Sequence, residues 1–145
     1  MSNPFTVSLV SWHDGEPLLR AIRETVFIRE QGVPEVLEWD DTDAVCRHAL
    51  ALSLNGDAVG CGRILPNGHI GRIAVMKEWR EKKVGTAIVE ALLDEARSRG
   101  YKLVDVDAQT HAVPFYQGFG FKLKGNEFMD AGLPHIKMEL KLLPR

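Results

Sequence analysis

Two cysteines, no long apolar run and almost no excess of charge mark what this 145-residue chain lacks. A formal net charge of −2 gives no bulk attraction for nucleic acid, so any phosphate it binds must be held locally. No apolar stretch approaches the roughly 18 residues of a membrane span. The first basic residue is Arg20, so no charged leader precedes an apolar segment. The expectation is a cytoplasmic protein without membrane or nucleic-acid partner. No Cys or His pair has zinc spacing. Asp41 and Asp43 begin like a calcium loop, but Val45 and Cys46 occupy positions that need oxygen and glycine, so no metal is expected. The P-loop pattern and Gly-x-Gly-x-x-Gly are both missing, which disfavours two common nucleotide folds. No repeat, linker or low-complexity tract interrupts the chain, so residues 1–145 read as one domain.

What the chain does have is a stretch from Arg72 to Gly100 that joins a strand to a helix through a basic turn. Ile73, Ala74, Val75 and Met76 form a continuous apolar run, the pattern of a central strand covered on both faces. From Val84 the period becomes 3.6, with Val84, Ile88, Ala91, Leu92 and Ala96 on one stripe, which predicts a helix of about four turns stopped at Gly100. Arg80, Lys82 and Lys83 crowd the N-terminal end of that helix, where acidic residues normally help. Free N–H groups, Gly85, the Thr86 hydroxyl and three cations suit an anion such as a phosphate; an ordinary solvated loop competes equally.

The remaining elements follow from period and punctuation. Phe5, Val7 and Leu9 mark a first strand; Asp14 starts a helix through Leu18, Ile22, Thr25, Val26 and Arg29, ended by Gly32 and Pro34. An acidic, loop-like segment follows, from Glu30 through Glu38, Asp40 and Asp43. Asn55-Gly56 and Asn67-Gly68 predict a three-strand meander over 45–54, 58–65 and 69–76. In that register Cys61 faces Leu50, leaving Cys46 four residues, about 13 Å, along the ladder, so no disulfide is expected. Leu103 to Ala108 reads as another strand, Pro114 to Phe119 as a short helix and Gly120 to Lys124 as a strand start. Ile136, Met138, Leu140 and Leu142 form the inward row of a last strand. The order implies an α/β (α+β) fold with a mixed, mostly antiparallel sheet and helices on both faces.

The stretch from Ile73 to Ala96 resembles motif A of the GNAT acetyltransferase superfamily, whose Gln/Arg-x-x-Gly-x-Gly/Ala turn holds the pyrophosphate of acetyl-CoA. Arg80, Val84 and Gly85 match that turn, while Lys83 stands where the family usually has its first glycine. The segments EQGVP, AQTH, FYQGFGF and GLPHIKM, in that order, resemble the ElaA-like acetyltransferases, and the likeness covers most of the chain from Val26 to Leu140. The resemblance implies a cleft between splayed fourth and fifth strands, acetyl-CoA as co-substrate without metal, and commonly a homodimer. It also implies that Ile73, Ala74, Val75, Arg80, Lys82, Lys83, Val84, Gly85, Thr86, His111 and Phe115 serve the cofactor.

The resemblance puts Tyr116 beside the thioester sulfur; the competing role is a half-buried aromatic with a backbone partner. His111 at the cleft mouth either orients the cofactor or caps the short helix. His48 shares a face with Cys46, Leu50 and Leu52, which suits a hydrogen-bonded core histidine as well as a place near the acceptor. His135 reads as surface or cleft rim. Glu30, Glu38 and Asp40 could form an acidic rim for a cationic amine, or simply a solvated charge run. The expected activity is acetyl transfer to an amine, small or on a protein; a non-catalytic acyl-CoA or nucleotide sensor is the alternative, and Lys83 is the residue that keeps it open.

Overall fold

Alternating apolar residues form seven strands in the computed structural model, which describes residues 4–143: β1 (Phe5–Ser11), β2 (Arg47–Ser53), β3 (Ala58–Ile64), β4 (His69–Val75), β5 (Leu103–Gln109), β6 (Lys122–Asp130) and β7 (Leu133–Lys141). They pair in the order β1-β2-β3-β4-β5-β7-β6, and only β4 and β5 run parallel. Gly56 and Gly68 take φ +86° and +91° at the two Asn-Gly turns, so the meander closes as expected. Leu50 lies opposite Cys61, and both cysteines are buried and free. Burial pushes the thiols up, Cys46 to about 11 and Cys61 to about 12.

Helix α1 (Trp12–Arg23) covers one face of the sheet and α3 (Val84–Ser98) the other, with the short helices α2 (Glu35–Glu38) and α4 (Val113–Gln117) at the rim. Ser11, rather than Asp14, caps α1: the Asp14 N–H donates to its hydroxyl at 3.1 Å. Buried Leu19, not exposed Leu18, leads the apolar stripe with Ile22 and Val26. Helix α1 then passes into a π-helical turn, Glu24–Glu30, before Gly32 at φ +73° releases the chain. The acidic segment expected as loop holds α2 and a 3-10 turn, Asp41–Val45.

Helix α3 buries Val84, Ile88, Val89, Leu92, Leu93 and Ala96 against β1 to β4, so Val89 and Leu93 join the expected stripe while Ala91 is half-buried. At about 1.5–3 kcal/mol for each large side chain, this stripe is a principal tie between helix and sheet. The close approach depends on β3: a Cβ at Gly62 would lie 2.6 Å from Ile73 Cδ1 and 2.8 Å from Ile88 Cγ2. At the far end, β6 runs to Asp130, longer than expected, and all nine of its residues are exposed.

Candidate active site

β4 and β5 pair only at His69↔Asp105 and Ile70↔Val106 and then separate. The register of β4 on β3 shifts beside Arg72, whose φ of +53° marks a bulge carrying a non-glycine residue in the left-handed region. The parting leaves a cavity of about 440 Å³ that Ile73, His111, Phe115, Tyr116, Gln109 and His135 help to line. Tyr116 is 8% exposed, its ring edge-on to Phe115 at 5.1 Å and to Phe121 at 5.6 Å. Burial raises its hydroxyl to about 12, so it stays protonated and keeps a hydrogen to donate.

The basic turn adjoins this cavity without lining it. Phe115 connects the two, since a Cβ at Gly85 would sit 3.5 Å from Phe115 Cζ and 3.8 Å from Val75 Cγ2. Helix α3 begins with no side-chain cap and no acidic residue in its first turn, which leaves N–H donors for an anion. Lys83 sits at the N-cap with φ +67°, a left-handed conformation that glycine adopts without cost and lysine at about 1–2 kcal/mol. The turn therefore keeps its geometry with lysine in place of glycine.

Several expected site residues are placed otherwise. The Val84 side chain is core, 1% exposed, and Ala74 packs under α1 with Leu19 and Ile22, so each can serve a cofactor only through its backbone. Arg80 is not free: both its terminal nitrogens bind Glu30, and its Nε donates to the Val75 carbonyl at 3.0 Å. Glu30 is thus joined to the basic turn instead of standing on an open acidic rim. Among the described residues, neither the Lys82 nor the Thr86 side chain is tied up in a hydrogen bond or ion pair.

Glu38 and Asp43 are buried and Asp40 is exposed, but all three are paired with arginines and so form no free rim. Arg23 binds Glu38 Oε2 and Asp43 Oδ1, each at 2.7 Å, while Arg63 holds Asp43 at 2.7 Å and Asp40 at 2.9 and 3.0 Å. Burial pushes Glu38 up against the pull of Arg72 and Arg23, and the Arg63 hydrogen bond holds Asp40 down. Trp12 and Trp39 lie against the Arg23 guanidinium at 5.6 and 5.0 Å. Glu38 still reaches the cavity wall; Asp40 and His48 do not. His48 is 1% exposed, donates from Nε2 to the Asp43 carbonyl at 2.9 Å and packs on Trp12, a core histidine held neutral by burial.

The cavity also brings forward residues that the sequence pattern did not single out: Gln31, His69, Arg72, Asp107 and Gln109. Two acidic residues at Asp105 and Asp107, on one face of an otherwise apolar strand, were the available signal. His135, buried at 8%, stacks on Phe128 and donates from Nδ1 to the Leu133 carbonyl at 2.8 Å, so it is a wall residue and not a surface one.

Residues 26–142 match the family described as "Acetyltransferase (GNAT) domain". The Bacillus subtilis "Uncharacterized N-acetyltransferase YjcF" is 38% identical over 121 residues, covering 81% of this chain and 86% of that protein. Escherichia coli "Protein ElaA" is 32% identical over 133 residues, 86% of each. The crystal structure of Escherichia coli ElaA superposes with TM-score 0.84 at 27% identity, covering 94% of this chain and 99% of that one. An acyl-CoA N-acyltransferase from Pseudomonas aeruginosa superposes with TM-score 0.83 at 25% identity, with the same coverage. Strand order, parted central strands and sequence agree: the chain belongs to the GNAT acetyltransferase family, on its ElaA-like branch, whose chemistry is acyl transfer.

Proposed function

We propose that the protein moves an acetyl group from acetyl-CoA directly to the nitrogen of an amine. The observation that carries this reading is the parting of β4 from β5, which puts Tyr116 on the wall of a cavity beside an uncapped, cation-flanked helix start. In this reading Lys82, Lys83 and the N–H groups from Val84 to Thr86 hold the pyrophosphate, joined by Arg80 once Glu30 lets go. Phe115, Ile73 and His111 border the pantetheine arm. The amine attacks the thioester carbonyl while a backbone N–H near Val75 polarises its oxygen, and Tyr116 donates a hydrogen bond to the departing sulfur. We place the protein in the cytoplasm, where reducing conditions keep Cys46 and Cys61 as thiols.

Release of free thiol from acetyl-CoA in the presence of a panel of primary amines tests the reading. Turnover with at least one amine is expected. Binding of acetyl-CoA with no turnover across the panel would favour the sensor.

A further inference from the structure

The cavity that Tyr116 lines also carries a histidine in a defined orientation. His69 opens β4, and its Nδ1 meets the Asp105 carboxylate across the short parallel junction. A carboxylate only accepts, so in the neutral imidazole Nδ1 bears the proton and Nε2 presents its lone pair. Nε2 lies 3.8 Å from Asp107 Oδ2, too far for a hydrogen bond, and His69 and Asp107 both line the cavity. Gly71 keeps the space beside Nε2 open: a Cβ built there would meet nothing within 4 Å except the His69 ring, 3.8 Å from Nε2. Lys137 of β7 approaches Asp105 at 3.6 Å and Asp107 at 3.5 Å. Two carboxylates thus face one ammonium and one imidazole, and with the imidazole neutral one negative charge is left over. Among the described residues no group of three His, Cys, Asp or Glu is arranged to hold a metal ion.

We propose that His69, oriented by Asp105, takes the proton from the ammonium form of the acceptor, and that Asp107 draws in that ammonium, so the acceptor class is a primary amine that is cationic at neutral pH. This deepens the acetyl-transfer reading and rests on it. The ammonium gives one proton to His69 Nε2, which passes it to solvent. The freed nitrogen lone pair forms the C–N bond, the C–S bond breaks with its electron pair on sulfur, and the nitrogen's surplus proton ends on the thiolate. Tyr116 donates a hydrogen bond to sulfur and keeps its own proton. Asp105 is a positioning residue. The surplus negative charge raises the local concentration of cations, and imidazole is the common proton acceptor near neutrality.

The test uses the full chain with acetyl-CoA and hexylamine or spermidine as acceptors, comparing wild type with His69→Gln, Asp105→Asn and Asp107→Asn. Acetyl-CoA affinity by calorimetry should be unchanged in all three, which shows that the fold and cofactor site survive. His69→Gln should lower kcat/KM for the amine about 10²-fold or more at pH 7, the scale of a general base. That deficit should shrink as pH rises toward the amine's own pKa near 10.4, where solution supplies the free base. Asp105→Asn should give a smaller loss with the same pH recovery. Asp107→Asn should raise amine KM with little change in kcat. A His69→Gln enzyme with wild-type rate and pH profile overturns this proposal alone, and so does a deficit that stays constant with pH. Wild-type protein that binds acetyl-CoA but acetylates no amine overturns acetyl transfer and this proposal together.

Discussion

Arg80 and Glu30 are fifty residues apart in sequence and joined by two parallel bonds, Nη1 to Oε2 at 2.5 Å and Nη2 to Oε1 at 2.7 Å. The pair links the end of the π-helical turn to the turn before α3. The Glu30 hydrogen bond holds the Arg80 guanidinium further up, and Arg80 holds the Glu30 carboxyl below its usual range. Both side chains are more than a third exposed, so the pair contributes at most about 1 kcal/mol to stability. In the proposed function Glu30 occupies the fork that the pyrophosphate needs. Glu30→Gln should therefore tighten acetyl-CoA binding, by up to roughly five-fold if about 1 kcal/mol of competition is removed. Calorimetry at low salt measures it; an unchanged or weaker affinity means that Arg80 does not serve the cofactor.

Tyr116 tests the leaving-group step. A thiol near 8.5 facing a phenol at about 12 makes full proton transfer uphill by roughly 3.5 units, or about 5 kcal/mol, so the hydroxyl acts as a donor only. Its bond strengthens as charge builds on sulfur, and its loss belongs in kcat more than in acetyl-CoA affinity. Tyr116→Phe keeps the packing against Phe115 and Phe121 and should lower kcat about 10²-fold with Kd for acetyl-CoA unchanged. A full rate, with chemistry limiting, would leave Tyr116 a packing residue.

Gly85 offers a check on the anion site that spares the core. A Cβ there meets only ordinary contacts, so Gly85→Val should fold. Its branched carbons would stand over the free N–H groups of the α3 start, and acetyl-CoA should bind at least ten-fold more weakly, about 1.4 kcal/mol or more. Wild-type affinity in this variant would remove the phosphate from the turn.

The sequence showed best what period and punctuation encode. The two Asn-Gly turns located the meander and placed Cys61 opposite Leu50, although bulges at Ala51/Leu52 and Cys61/Arg63 shift the register elsewhere, and the stripe from Val84 located α3. Ser11 was missed as a cap because Asp14 is an equally good capping residue three positions later. The acidic segment read as rim because charge patterning along a chain does not show that Arg23, Arg63 and Arg72, from α1, β3 and β4, converge on it. His69 went unnoticed for the same reason: its partner Asp105 lies across a parallel junction that no local pattern announces.

Stability should record the buried groups as pH falls. Burial holds His48 below the ordinary histidine range of about 6.5, so the unfolded chain takes up its proton first. Its contribution is full above about pH 6.5 and declines as pH falls from there toward the folded value. Asp40, held low by Arg63, contributes fully above about pH 3.9, the unfolded value, and its contribution is lost below that as pH falls through the depressed folded value. Urea denaturation across pH should show the first decline in wild type and not in His48→Gln, whatever the absolute stability of the variant. A decline of the same slope in both would place the titration elsewhere.

The parting of β4 and β5 also divides the sheet as a cooperative object. β1 to β4, clamped between α1 and α3, share an antiparallel ladder with one another, and β5, β7 and β6 share another, but backbone pairing crosses between them at two positions. Proteins open in contiguous cooperative units that often coincide with supersecondary motifs, so the β5–β7–β6 half can loosen its amides to solvent exchange while the other half stays closed. In the proposed function an acyl-CoA seated in the parting would touch both halves. It would then act as the fastener that the backbone omits, slowing exchange in β5 and β7 far from any atom it contacts.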